Sequence, residues 1–284
     1  MTDRATAIDW GDVRASGSHL LMFAGGSRRY ASAGRRMHRQ AERSELFTNV
    51  VLLQGHDLAE LARTREPQLP QVRSLHSKGC GFWWWKAAIL NAYVHVPELK
   101  ADRVFYIDVG SHLNTSQGAL QRFHDYERIA DSNGAVLFSL PGHTDRDWTR
   151  PDVAQHLGMT ETELDSEQVS AGFFGFALDT RARDALGRWD ALCRFDGGTL
   201  LLDVDASSEH LRHRHDQSLF SAVVKQMGYP TLPDETYTDL PWDEGARDWP
   251  VWAVRNRGGA TFSKHRGWFR MNDSLDRLTC WLSR

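Results

Sequence analysis

Cysteine is scarce in this chain: three among 284 residues, Cys80, Cys193 and Cys280, odd in number and far apart. They match no metal-binding spacing, and reduced thiols in a cytoplasmic protein are the simplest reading. Long apolar runs are absent; no stretch approaches the roughly 18 residues that a membrane-crossing helix needs. The opening residues, MTDRATAIDWGDVRASGSH, have no apolar centre and do not read as a secretory signal. A basic excess is missing too. The formal charge of -3 argues against a general nucleic-acid binder, whose phosphate contacts need one. No P-loop, G-x-G-x-x-G or nucleophile elbow occurs, and no Ser-His-Asp or Cys-His hydrolase arrangement can be assembled. Composition near the globular average excludes collagen, a long coiled coil and wholesale disorder. A chain of this size buries roughly three quarters of its unfolded surface, so it needs neither a disulfide nor a metal to fold.

What the chain has in unusual supply is tryptophan, 11 residues. An indole offers a flat apolar face and one N–H donor. Such a face suits the C–H side of a sugar, and it equally fills an ordinary core.

Along the chain, residues 1–18 read as a loose polar arm. Leu20-Leu21-Met22-Phe23-Ala24, closed by Gly25-Gly26-Ser27, reads as a buried strand running into a loop. Residues 31–43 read as a helix and 47–53 as a second strand, followed by a short helix near 57–64. Residues 81–97 read as a helix that must end before Pro97. Arg103-Val104-Phe105-Tyr106-Ile107-Asp108 is a strand ending on an acid. A helix over 116–130 and a strand over 135–139 follow, then strand over 169–178 and helices over 180–196 and 209–228. The alternation predicts βαβ units and an α/β sheet of mostly parallel strands flanked by helices. No linker-like boundary appears, so 19–284 reads as one domain. Residues 1–43 hold eight Arg and no Lys against four acids, a local excess of positive charge. That segment suits an acidic acceptor or a membrane surface, or is simply a solvated face. The acids of 234–248 read as an exposed loop, with a lid over the site as the alternative.

Four segments carry candidate chemistry. In open α/β sheets ligands gather outside the carboxyl ends of the strands. Asp108 stands at such an end, as a ligand for a hard divalent cation or as a cap for the next turn. In KGCGFWWWK three successive Trp cannot share one helix face, so at least one ring leaves the main core. Lys86 beside them is placed to neutralise phosphate, or is an ordinary solvated lysine. In EHLRHRHDQ, His210 and His213 would share a helix face, though no metal family has that spacing. Asp216 and Gln217, an acid beside an amide, suit sugar hydroxyls. In SKHRGWF, His265 is a metal or phosphate ligand, or a structural histidine.

Taken together these segments resemble GT-A-type glycosyltransferases of bacterial and capsular polysaccharide settings. The resemblance rests on Phe23 to Tyr30, Gly79-Cys80-Gly81-Phe82-Trp83-Trp84-Trp85-Lys86, Tyr106-Ile107-Asp108-Val109-Gly110, Ala171-Gly172-Phe173 and Arg214-His215-Asp216-Gln217-Ser218, over about residues 20–225. More distantly the layout is similar to glycogenin and galactosyltransferase relatives. It implies a single GT-A-like (Rossmann-like) domain that transfers a sugar from a nucleotide diphosphate donor, UDP-linked by the same resemblance, to a hydroxyl acceptor. That acceptor would be a glycan, a lipid-linked glycan, a peptide or a small molecule. The loop of Ala24, Gly25, Gly26, Ser27 and Tyr30 would hold base and ribose. Asp108 and His265 would bind Mn²⁺ or Mg²⁺ with the diphosphate, and Lys86 would add positive charge. Trp84, Trp85, Asp216 and Gln217 would orient sugar and acceptor. Gly110 stands where the D-x-D pattern carries its second acid, which leaves metal dependence open. Retention of configuration is the implied course; with inversion, Asp216 would serve as base. A carbohydrate-binding module on Trp platforms and a decayed scaffold of the same fold are the alternatives.

Overall fold

The computed structural model describes residues 8–65, 78–203, 213–236 and 246–254. In chain order, β1 (Ser18–Ala24), α1 (Arg28–Ser44), β2 (Asn49–Gln54), α2 (Gly55–Arg65), the single turn α3 (Gly79–Phe82) and α4 (Trp85–Tyr93) form the first part. β3 (Arg103–Ile107), β4 (His112–Leu113), α5 (Gln117–Asn133), β5 (Ala135–Val136) and β6 (Phe138–Thr144) follow. Then come α6 (Asp145–Trp148), α7 (Pro151–Leu157), α8 (Glu161–Asp165), β7 (Glu167–Val169), β8 (Phe173–Ala177), α9 (Thr180–Arg194) and α10 (Asp216–Gln226). β9 (Leu232–Pro233) and β10 (Val251–Trp252) end the described chain.

The central sheet has five strands in the order β2-β1-β3-β8-β5. β1 pairs in parallel with β2 and with β3; β8 runs antiparallel to β3 and to β5. Four of the five strands therefore share one direction, as the alternation predicts. Every residue of β1 is buried, because helices cover both faces of the sheet. Its side chains alternate between two cores. Leu20, Met22 and Ala24 join α1 and α5 through Met37, Phe123 and Tyr126. Leu21 and Phe23 join α2, α4, α9 and α10 through Leu58, Ile89, Leu186 and Phe220.

Local chemistry explains the helix starts. Ser27, extended, accepts from the Tyr30 amide at the head of α1. Ser116 and Asp179 do the same for α5 and α9, and Thr160 with Glu163 makes a capping box on α8. Gly34 lets α1 lie close on β1, since a Cβ there would sit 2.5 Å from that of Ala24.

Several expectations change. Residues 8–17 are not a loose arm: Trp10 packs on Tyr93, its carbonyl accepts from Asn49 Nδ2, and Arg14 pairs with Glu98. The helix expected over 81–97 begins only at Trp85, because Gly79, Cys80, Gly81, Phe82 and Trp83 all have positive φ. It ends at Tyr93, before the tight turns that precede Pro97. The helix expected over 209–228 begins at Asp216, because His215 at φ 52° breaks the approach to it. His213 is therefore off the helix, and His210 is outside the described residues. Glu235 is not part of an open loop, since Arg122 and the Tyr126 hydroxyl hold it.

Candidate functional site

The antiparallel entry of β8 shapes the site. Phe173 pairs with Ile107, so the Ala171–Gly172 bend arrives at the carboxyl end of β3, where the Asp108 amide donates to the Gly172 carbonyl at 2.8 Å. The first turn of α4 brings Lys86 to the same point, and the first turn of α10 brings Asp216.

Lys86 is 4 % exposed. Its Nζ donates to the Ala171 carbonyl at 3.0 Å and lies 3.2 Å from Asp216 Oδ2 and 3.5 Å from Asp108 Oδ1. It also stands 5.3 Å from the Tyr106 ring centre. Burial alone would lower its pKa. The two carboxylates more than offset that, and Lys86 holds its proton above the ordinary lysine value. With one carbonyl and two carboxylates around it, this ammonium is a brace between carboxylates and not a solvent-facing charge.

The two acids differ. Asp108 is partly open, its side chain 42 % exposed, and its Oδ1 accepts from the Tyr106 hydroxyl at 2.6 Å. That phenol is pushed well above 10 by burial and the Asp108 charge, so it remains a neutral donor. Asp216 is 3 % exposed, and burial raises its pKa to about 7 against the pull of Lys86. Nζ of Lys86 lies within ion-pair distance of its Oδ2 but off hydrogen-bond alignment, so among the described residues this buried oxygen has no hydrogen-bond donor.

Gln217 is held at both ends of its amide. Its Oε1 accepts from the Ala171 amide at 3.2 Å, and its Nε2 donates to Gln168 Oε1 at 2.6 Å. The Ala171 peptide is thus gripped on its carbonyl by Lys86 and on its N–H by Gln217. Gln168 is fully buried and donates in turn to Asp145 Oδ1 at 2.9 Å.

The other expected residues fall in different places. Trp84 and Trp85 are buried, at 3 % and 5 % exposed. Trp85 packs on Phe23 with ring centres 4.2 Å apart, and its Nε1 donates to the Gly79 carbonyl. The ring left half-buried is Trp83, stacked on His215 at 5.6 Å. The register of β1 with β3, Leu21 opposite Tyr106, carries the loop from Ala24 through Gly25, Gly26 and Ser27 to Tyr30 to the same edge as Asp108. Ala24 is buried there and Gly26 and Ser27 are exposed; Gly110 is half-buried. His213 and His215 hydrogen-bond to the carbonyls of Leu200 and Leu201, and burial lowers both pKa values. His265 is outside the described residues.

Tyr106 and Gln168 were not among the expected residues. Tyr106 was detectable: it stands two places before Asp108 on a strand, and side chains two apart share a face. Gln168 carried no such signal.

Of the two cation ligands that the resemblance implies, Asp108 is described and His265 is not. Asp108 is the half-exposed carboxylate of the cluster, and no group of three His, Cys, Asp or Glu side chains converges among the described residues.

No family model matches the chain, and no curated protein matches it. Solved structures do. One is mouse xyloside xylosyltransferase 1 in its apo form, with 13 % identity, a TM-score of 0.43, and 84 % of this chain and 97 % of that one covered. Another is the bifunctional glycosyltransferase WbbM, apo, with 12 % identity, a TM-score of 0.46 and 87 % of this chain covered. This chain spans about half, 46 %, of WbbM. A third is the galactosyltransferase LgtC in complex with donor and acceptor sugar analogues, with 14 % identity, a TM-score of 0.43, and 86 % and 84 % covered. At these scores the likenesses do not place the chain in any of their families.

Proposed function

We propose that this protein is a GT-A-like glycosyltransferase. It moves a sugar from a nucleotide diphosphate donor, UDP-linked by the resemblance of its motifs, to a hydroxyl acceptor. The observation that carries the reading is the Asp108–Lys86–Asp216 cluster at the carboxyl end of β3, where a sheet of this kind gathers its ligands. Asp108 presents a braced, partly open carboxylate that accepts hydrogen bonds from donor hydroxyls. Lys86 and Tyr106 fix its orientation, so no reorganisation is needed when the donor arrives. The loop from Ala24 to Tyr30 at the neighbouring strand end takes the nucleoside.

The proton inventory favours retention. Asp216 is a poor base for the acceptor, because its unpaired oxygen is buried behind Lys86. The acceptor proton then passes to the departing diphosphate. The anomeric carbon–phosphate oxygen bond breaks and the carbon–acceptor oxygen bond forms on the same face. In this course Gln217 sets the Ala171–Gly172 bend rather than touching sugar.

A donor panel assayed for nucleotide release, with and without EDTA, tests the reading. Release from a UDP-sugar is expected, with a loss of 100-fold or more on Asp108→Asn, the order seen when one preorganised polar group is removed. Loss with EDTA would bring in a cation held by residues beyond those described. No release from any donor, with a thermal shift by free glycan alone, assigns the fold to a binding module.

A further inference from the structure

Apart from Arg36, the arginine excess of the first 43 residues plays no part in the site, yet the fold gathers much of it on one surface. α1 buries Ala33, Gly34, Met37, Gln40 and Ala41. At about 100° per residue, Arg28, Arg35 and Arg39 fall within about 40° of one another on the opposite side. All three are exposed, as are Ser32 between them and Arg43 at the end of the helix. Arg28 to Arg43 is a straight row of about 22 Å at 1.5 Å per residue. Among the described residues no acid pairs with Arg28, Arg35 or Arg39, while Glu42, the acid on this face, lies 3.2 Å from His38.

We infer that this face of α1 is a docking surface for an anionic lipid bilayer. The row is straight and convex, so it meets a plane of negative headgroups along its whole length. A glycan or a nucleotide would want a concavity or an aromatic platform, and the exposed positions of this face hold Arg, Ser and Glu. Attachment is electrostatic, not insertive, because the one large apolar side chain exposed among the described residues is Phe195, away from α1. The overall charge of -3 does not cancel the row. Charges on remote faces are screened beyond about 8–10 Å at physiological salt. α1 also leans on the site edge, with Arg36 donating to the carbonyls of Val109 and Ser111. A membrane along α1 therefore lies beside the end of β3. The inference does not depend on the sugar-transfer reading.

Vesicle co-sedimentation tests it on the full chain. Vesicles of phosphatidylcholine with about a third phosphatidylglycerol are expected to pellet the protein at 50 mM salt and release it at 0.5 M, while phosphatidylcholine alone binds little. The triple variant Arg28→Gln, Arg35→Gln, Arg39→Gln should bind on the order of 100-fold more weakly with its melting temperature unchanged. Arg183→Gln with Arg188→Gln, on the distant α9, should bind like the parent. The inference is overturned if the parent ignores anionic vesicles, if the triple variant still binds them, or if duplex DNA is held as tightly as the vesicles.

Discussion

Asp216 and Asp108 are the same side chain in two settings, and burial decides what each does. Asp108 keeps an open face, while Asp216 is enclosed and its pKa rises from the ordinary 3.8 to about 7. The folded state then binds this proton more tightly than the unfolded chain does. The contribution to stability is whole below pH 4 and is lost as pH rises through 7, because the unfolded carboxyl ionises freely while the folded one resists. Urea midpoints measured from pH 4 to pH 8 should fall along that window in the parent. In Asp216→Asn, which does not titrate, the curve should be flatter; parallel curves would remove Asp216 as the titrating group. Lys86 stays charged throughout, since its pKa lies above the ordinary lysine value. The D-Q pair was visible as a polar couple, and Asp108 as an acid at a strand end. That Lys86 is spent on bracing the carboxylates was not visible, since its partners come from three separate parts of the chain.

The turn ahead of α4 holds five successive residues with positive φ, three of them not glycine. Each such L-residue costs about 1–2 kcal/mol, which the packing of Phe82 and Trp83 on His215 and of Trp85 on Phe23 helps to offset. Gly79 is the tight point, where an added Cβ would lie 2.4 Å from the Trp83 ring. Gly158, which ends α7 at φ 64°, faces open space. Gly158→Ala should therefore cost about 1 kcal/mol for its backbone alone, and Gly79→Ala about 1–3 kcal/mol more for the clash. Equal losses in chemical denaturation would mean that Trp83 does not close over Gly79. The strands of the central sheet and the longer helices were legible to within a few residues from apolar runs, caps and breakers. The short α6, α7 and α8 were not, and the strand expected over 169–178 is broken at the Ala171–Gly172 bend. The two late helix starts were not legible either, because Cys80, Phe82, Trp83 and His215 adopt a conformation that their residue types rarely take.

Asp145 ties the second half of the molecule together. It is fully buried and accepts from Lys225, Ser221, Thr149 and Gln168, so α6, β7 and α10 meet on one carboxylate. Lys225→Met leaves that charge enclosed without its counter-ion and should cost about 3–5 kcal/mol. Arg146→Ala, which breaks exposed pairs with Asp165 and Glu161 nearby, should leave the melting temperature almost unchanged. A small loss in Lys225→Met would show that the network is not a buried one. Gln168 hands this anchorage on to Gln217 and hence to the Ala171–Gly172 bend, a link between core and site that composition could not reveal.

Backbone sterics, caps and the alternation of apolar residues act over a few positions. The strands of the central sheet, the longer helices and the acid at the end of β3 could accordingly be read from the chain alone. The reversal of β8, the enclosure of Lys86 and the different fates of Asp108 and Asp216 could not. They depend on which distant segments exclude water from one another, and burial, unlike propensity, belongs to the assembled molecule.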